Sequence, residues 1–289
     1  MSALFRELLY YLPSERDRGE ACPAYTMDAD SPDLAWTRTK VLIVGRASPE
    51  PSKKHIETVC TGGITESGEL LRLYPIPLRY LQQEKRYKQW SWAEFEIQKS
   101  PSDKRKESYI VREESIKVLG HIDSETERFH LLSKGIVADR ETLELMRQKD
   151  CTSIGLIEIE VQDLVGRPRR KEWTSEKPYT KQSHLYVEKK PLEQPAIELQ
   201  VKFRCKNNSA CKAHQCSLIG WEYTEGLRNF IIKYDGLDGA FMRLRQELTD
   251  RYMDPAKRIF ALMGTHFKYP SWMVAQLYAF PRDIPPRLF

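Results

Sequence analysis

The residues best suited to chemistry are three cysteines and a histidine in the C-terminal third of the chain. Cys205, Cys211, His214 and Cys216 follow the spacing Cys-x5-Cys-x2-His-x-Cys. Thiolates and imidazole are ligands that zinc prefers, and a tetrahedral Cys3His set is typical of structural zinc sites. The short polar loop after Cys205 allows all four side chains to reach one ion. The spacing therefore predicts a metal centre, and zinc is the metal expected first.

Other interpretations of this group remain open. Cysteines at short spacing also hold iron–sulfur clusters, although a histidine ligand is less usual there. The thiols could instead be buried separately, with His214 exposed. If His214 is not a ligand, water would occupy the fourth position and metal catalysis would become feasible. His266, in the segment GTHFKYPSW, would then be the next ligand to test, and Glu222 would be a candidate general base.

A candidate nucleophile lies much earlier in the chain, in the segment HIETVCTGG. Cys60 follows Glu57 by three positions, and a thiolate nucleophile needs a base or a positive charge nearby. In a regular strand the two side chains face opposite ways, so a direct pair requires a bulge or bend. A buried structural cysteine is the alternative. The sequence contains no Walker-type loop, GxSxG or HExxH motif. The catalytic candidates are therefore Cys60, Glu57, Glu222 and His266.

Basic residues lie beside aromatic ones in several segments. The chain carries 46 basic and 41 acidic residues, a net charge of +5, and residues 167–190 alone contribute eight basic and three acidic ones. Cations neutralise phosphates, and aromatic rings such as Tyr87 and Trp90 can stack on unpaired bases. The alternative is a solvated charged face with aromatics in the core. We expect nucleic-acid binding, to DNA first, through Arg79, Arg86, Lys88, Lys104, Arg105, Lys106, Arg167, Arg169, Arg170 and Lys171.

The elements that position these residues form two halves. Residues 34–165 contain β-branched, alternating segments separated by turn residues, which predicts a β-rich barrel or sandwich. The run TKVLIVGRA is rich in β-branched residues and predicts a strand, and Glu66-Ser67-Gly68 predicts a hairpin turn. One slip in the alternation of QWSWAEFEIQKS predicts a bulge. Residues 195–289 combine the knuckle with helices and two closing strands. The chain is therefore expected to be an α+β protein. An N-terminal arm (1–33) and a basic, proline-containing linker (166–194) are the remaining expected parts.

Composition limits the remaining choices. A chain of 289 residues with 40% hydrophobic content can form one large or two small domains without disulfides. No segment approaches the roughly 20 apolar residues that cross a bilayer. The first residues lack the charged lead, apolar middle and cleavage site of an export signal. We therefore expect a cytoplasmic protein without a membrane partner.

The segment ETVCTGGITESGELLRLYPIPLRYL, with KESY downstream, resembles a group of bacterial proteins. These proteins pair a Cys-containing β segment and an RLYP-like motif with a Cys/His knuckle followed by Trp-Glu. Outside the knuckle, the matching residues are Glu57, Cys60, Arg72, Leu73, Tyr74, Pro75, Trp221, Glu222, Gly264, His266 and Trp272.

This resemblance implies an association with bacterial DNA modification and antiviral defence systems of the restriction–modification type. Some of these systems place 7-deazaguanine bases in DNA. Processing of such a base would use Cys60 with Glu57, because a thiolate can attack a nitrile or amide-like carbon. The alternatives are a non-catalytic nucleic-acid-binding or scaffold subunit and a protein-interaction module. Other proteins of the same system are the expected protein partners.

Overall fold

The computed structural model describes residues 35–52, 55–169, 192–234, 236–266 and 271–284. Within these residues the chain has the expected α+β architecture. A β-barrel with additional strands forms the N-terminal half, and a second sheet with helices forms the C-terminal half. The expected N-terminal arm lies outside the described residues.

The first sheet contains seven strands. They are β1 (Thr37–Arg46), β2 (Glu50–Ser52), β3 (Ile56–Ile64), β4 (Leu70–Ile76), β5 (Ser91–Lys99), β6 (Ser108–Val111) and β7 (Lys117–His121). The strand order β1-β3-β4-β6-β5 closes on itself because β5 also pairs with β1. The predicted hairpin joins β3 to β4, where Gly68 has a φ of 94° that suits glycine. The slip in alternation predicted a bulge in β5, but Trp92 pairs with Gly120 and Ala93 with Val118, so the extra residue is Leu119 of β7, and β5 pairs with β1 without a shift.

The second sheet contains six strands, and four α-helices are described in the chain. The strands are β8 (Ile136–Val137), β9 (Ile154–Pro168), β10 (Ile197–Cys205), β11 (His214–Ser217), β12 (Lys257–Thr265) and β13 (Trp272–Pro281). The helices are α1 (Glu125–Ser133), α2 (Arg140–Asp150), α3 (Trp221–Lys233) and α4 (Leu237–Tyr252). The strand order is β11-β10-β9-β12-β13, with β8 beside β9.

Strand β9 corrects the expected position of residues 154–165. The sequence placed them in the N-terminal β-rich half, but β9 pairs with β10 on one side and β12 on the other. The same strand continues to Pro168, so the first residues of the expected linker are part of the second sheet. Alternating apolar residues identified the strand, but they carry no information about which strands it joins.

The two halves share a hydrophobic core. Leu42 and Val44 of the barrel are fully buried in one cluster with Phe260 and Leu262 of the second sheet. The Tyr278 hydroxyl also donates a hydrogen bond to the Val44 carbonyl at 2.7 Å. Packing across this boundary therefore fixes one half against the other. Among the described residues, no helix is long and apolar enough to cross a membrane.

Candidate metal centre and nucleic-acid interface

The metal-ligating residues lie where two strands of the second sheet meet a helix. Cys205 ends β10, and His214 begins β11 opposite Phe203. The intervening loop returns Cys211 towards Cys205, whose backbone N–H donates to the Cys211 sulfur at 3.2 Å. The backbone N–H of Arg140, the first residue of α2, donates to the Cys205 sulfur at 3.4 Å. The local fold thus brings the three ligand-type side chains to one point.

The geometry of this group suits a cation. One ligand atom each from Cys205, Cys211 and His214 lies within 4.8 Å of the other two. The Cys211 sulfur is 3.3 Å from His214 Nε2. Both thiols are buried, and His214 is mostly covered. Ligands of a tetrahedral zinc ion are separated by roughly 3.3–3.8 Å, given bonds of about 2.0–2.3 Å. These three residues could therefore hold a metal ion with little rearrangement.

Electrostatics in the group also favour a cation. Burial raises the pKa of the Cys205 thiol to about 12, an effect that the Arg140 amide opposes and nearby Cys211 reinforces. Burial lowers the pKa of His214, and Arg140 lowers it further, which favours the neutral imidazole that binds metals. A bound cation offsets the cost of the buried thiolates, because coordination deprotonates the thiol outright.

Two expected ligands are not part of this group. Cys216 lies two residues beyond His214 on β11, opposite Val201, and packs in the apolar core. Its sulfur is not among the ligand atoms that lie within 4.8 Å of one another. His266 follows the end of β12, and its backbone N–H donates to the Ser271 carbonyl. Of the expected Cys3His set, the structure thus brings Cys205, Cys211 and His214 together within this distance.

The other catalytic candidates are not assembled into one site. Cys60 lies at a register shift between β3 and β4, but the extra residue is on β4, so β3 does not have the bulge that a direct pair required. The Cys60 sulfur contacts Arg72, whose Nη1 lies at 3.6 Å, and no described contact joins it to Glu57. Glu57 is buried and paired with Arg79 at 3.0 Å. Glu222 is engaged by Arg46 at 2.5 Å.

The basic candidates at residues 104–106 and 167–171 make different contacts. Arg105 pairs with Asp103 and donates to the Thr265 carbonyl, and Lys106 pairs with Asp150. Lys104 is exposed. Arg167 lies in β9, and Arg169 donates to the Pro195 carbonyl and lies 3.8 Å from Glu198. Arg170 and Lys171 lie outside the described residues. These two segments therefore form no described cationic pocket.

A pocket of about 280 Å³ lies between the halves, and three of the basic candidates line it: Arg79, Arg86 and Lys88. We call it the basic pocket, and its lining residues are Arg46, Leu78, Arg79, Arg86, Tyr87, Lys88 and Trp221. Tyr87 explains the arrangement, because its ring is buried against Phe95 at 5.7 Å and its hydroxyl bonds Thr61 at 2.8 Å. With Tyr87 buried, the neighbouring Arg86 and Lys88 are exposed. The pocket therefore has two cationic arms at its solvent side.

The sequence did not predict which aromatic ring would be available in this pocket. Tyr87 and Trp90 were candidates for stacking, but Tyr87 is buried and Trp90 packs on Tyr278 at 5.4 Å. Trp221, at the start of α3, supplies the ring in the pocket, and the Arg46 guanidinium lies 5.1 Å from its centroid. The buried Trp221 Nε1 has no hydrogen-bond partner among the described residues. Only its position after the Cys/His knuckle could have drawn attention to it.

The fold and the site define an α+β protein with a closed barrel, a Cys2His metal-type group and a basic pocket between its halves. Residues 37–134 match the domain of unknown function DUF8758, and residues 139–289 match the domain of unknown function DUF8757. The second match covers more than half of the chain, so the protein belongs to the DUF8757 family. No curated protein matches the chain. The boundary between the matches follows the barrel and α1, and it precedes β9.

Proposed function

We propose that this protein binds single-stranded DNA at the basic pocket and uses a zinc ion to stabilise its C-terminal half. The observation that carries the proposal is the convergence of Arg86, Lys88 and Trp221. Single-strand binders combine cations that follow the phosphate backbone with aromatic rings that stack on bases. A pocket of about 280 Å³ has room for one unpaired base rather than for a duplex.

The charge balance of the pocket supports this assignment. Arg46 and Arg79 are each paired with a carboxylate, Glu222 and Glu57. Within the part of the chain that is described, no carboxylate forms an ion pair with the arms Arg86 and Lys88. The Arg86 Nε donates to the Leu81 carbonyl at 2.8 Å, but neither arm must break an ion pair with a described carboxylate before it neutralises a phosphate. The paired arginines instead shape the wall on which a base would lie.

Zinc is supported by the donor set. Two buried thiols and a neutral imidazole suit zinc better than the oxygen-preferring magnesium or calcium. Because the group lies on β10 and β11 and does not line the pocket, its proposed role is structural. On the basis of the resemblance, we extend the proposal to a bacterial DNA modification or defence system, in which the protein would bind exposed single strands.

Binding is tested by fluorescence anisotropy with a labelled single-stranded oligonucleotide over a range of salt concentrations. Arg86→Ala with Lys88→Ala removes both arms, and Lys202→Ala with Arg204→Ala removes the same two residue types from exposed positions on β10. We expect the first pair to weaken binding and to reduce the log–log salt slope by about 1.4, or about 0.7 for each lost single-strand phosphate contact. The control pair should leave the slope unchanged. Equal losses in both pairs, or no binding by the native protein at moderate salt, would overturn the proposal.

Processing of a modified base is a second candidate, favoured by the contact between Cys60 and Arg72. A cysteine sulfur is a nucleophile that can attack an electrophilic carbon. Addition of the Cys60 thiol to a nitrile would form a bond between sulfur and the nitrile carbon, break one π bond of the C≡N group and move the thiol proton to nitrogen. Water would then displace the sulfur from this thioimidate, which gives the amide and restores the free thiol. The test is nucleoside mass spectrometry of 7-deazaguanine-containing DNA after incubation with native protein or Cys60→Ala. Product with native protein alone supports the activity, and identical nucleosides in both samples exclude it.

A further inference from the structure

We infer that Glu141 is the fourth ligand of the metal centre, which makes the site Cys2HisGlu rather than Cys3His. The inference rests on the metal-binding part of the proposed function and is independent of DNA binding. It assigns a ligand 64 residues before Cys205, on a different element. Five contacts around the start of α2 carry the argument.

The start of α2 is held against the knuckle loop. Asp139 caps the helix by accepting the Thr142 N–H at 2.7 Å, and its second oxygen accepts Asn208 Nδ2 at 3.0 Å. Arg140 donates its backbone N–H to the Cys205 sulfur. Glu141, the next residue, is therefore presented to the same cluster by a helix end that is fixed on both sides of it.

Glu141 contacts Nε2 of His214, and this choice of ring nitrogen distinguishes a ligand from a carboxylate that only orients the histidine. Its Oε1 lies 3.1 Å from His214 Nε2, the same atom that lies 3.3 Å from the Cys211 sulfur. A carboxylate that only orients a metal-bound histidine accepts the proton of the other ring nitrogen. When Nε2 binds the ion, it carries no proton for Glu141 to accept. The carboxylate at this position would then face the ion itself.

The distances also suit a tetrahedron. Glu141 Oε2 is 3.8 Å from the Cys205 sulfur. This 3.8 Å distance and the 3.1 Å distance from Glu141 Oε1 to His214 Nε2 are both close to the roughly 3.3–3.8 Å that separates the ligands of a tetrahedral zinc ion. Glu141 is not yet within 4.8 Å of all three partners, so coordination would need a rotation of its side chain. That rotation is available because the Glu141 side chain is 45% exposed.

Exposure distinguishes Glu141 from the three cysteines. Cys205 and Cys211 are buried, whereas the Glu141 side chain is 45% exposed and would cover the solvent side, where water would otherwise bind. Cys216 is buried to the same degree as the other two thiols, but its sulfur is not among the atoms that lie within 4.8 Å of one another. A metal bound by Glu141 joins α2, β10 and β11, and it thereby ties the first helix of this half to the edge of its sheet.

X-ray absorption of the native protein loaded with zinc tests the ligand set directly. We expect two sulfur and two nitrogen or oxygen neighbours, and a third sulfur would show that Cys216 coordinates. Cobalt loading then separates Glu141 from water. The spectrum of the native cobalt protein should not change with azide, because no position is open, whereas Glu141→Ala should respond to azide. A native protein that responds to azide would overturn the inference while leaving the metal centre in place.

Affinity measurements with a zinc chelator provide the matched comparison. Glu141→Ala should weaken zinc binding by about tenfold or more, since even the loss of outer-shell partners costs that much. Glu125→Ala removes a first-turn glutamate of α1 that contacts no metal-type residue, and it should leave the affinity unchanged. Equal affinity for zinc in both variants would contradict the inference. Failure of the native protein to bind any metal would reject the metal centre as well.

Discussion

The Arg46 guanidinium lies 2.5 Å from the Glu222 carboxylate, and this ion pair joins the last residue of β1 to the first turn of α3. The same guanidinium lies 5.1 Å from the Trp221 ring. These residues belong to the two halves that match different domains. The wall of the basic pocket therefore depends on the packing of one half against the other.

Glu222→Gln should strengthen single-stranded DNA binding and reduce stability. The change releases Arg46 from its carboxylate, which adds one uncompensated cation to the pocket. Loss of a partly buried, charge-assisted hydrogen bond should lower the free energy of unfolding by about 1–3 kcal/mol. Anisotropy and urea denaturation measure the two effects. Glu225→Gln, which removes the partner of Arg228 on the same helix, should not strengthen binding. Weaker binding in Glu222→Gln would contradict the assigned role.

Gly220→Ala should destabilise the protein, because the backbone leaves no room before α3. An added Cβ would lie 2.7 Å from the Ala275 carbonyl oxygen and 2.7 Å from the Tyr223 ring. Such overpacking typically costs about 1–3 kcal/mol. Gly120→Ala is the control, since nothing lies within 4 Å of its Cβ position. Thermal unfolding of the two variants should show a lower Tm only for Gly220→Ala, and equal Tm values would be inconsistent with this packing.

Acid should remove a stabilising contribution from Glu144. Burial alone would raise the pKa of this carboxyl, but hydrogen bonds from Arg147, Trp272 and Gln148 together lower it. A depressed folded-state pKa stabilises the fold above the unfolded value of about 4.3, and this contribution is lost as the pH falls through the folded-state pKa. Glu144→Gln should therefore be less stable than the native protein at neutral pH.

Urea denaturation at a series of pH values follows this difference. The stability gap between native protein and Glu144→Gln should close as the pH falls below the unfolded-state pKa. Glu247→Gln, which removes the partner of an exposed arginine on α4, should show a small gap throughout. A gap for Glu144→Gln that is constant with pH would show that its charge is not the cause.

The sequence predicted the local structure better than the contacts between distant segments. β-Branched residues identified β1, and a turn motif identified the hairpin at Gly68. The slip in alternation placed a bulge in β5, whereas the extra residue lies in β7. The pairing of Thr37 with Ile97, which closes the barrel, joins residues 60 positions apart and leaves no local pattern.

The candidate site shows the same limit. Local spacing identified Cys205, Cys211 and His214, but it could not show that Cys216 packs into the core. His214 and Cys216 lie two residues apart on β11, and only the atomic positions show that the Cys216 sulfur is not within 4.8 Å of the other ligand atoms. The approach of Glu141 depends on how α2 docks, which is a tertiary effect. Trp221 was likewise placed in the pocket only by the packing of the two halves.

Elemental analysis of the purified protein tests the metal centre most directly. Cys211→Ser and Cys216→Ser form a matched pair, because both thiols are buried to a similar degree, with 5% and 6% exposure. We expect about one zinc per chain in the native protein and in Cys216→Ser, and loss of zinc with reduced stability in Cys211→Ser. Iron in place of zinc would indicate an iron–sulfur cluster. Native protein without metal, or equal zinc content in both variants, would contradict the metal centre described here.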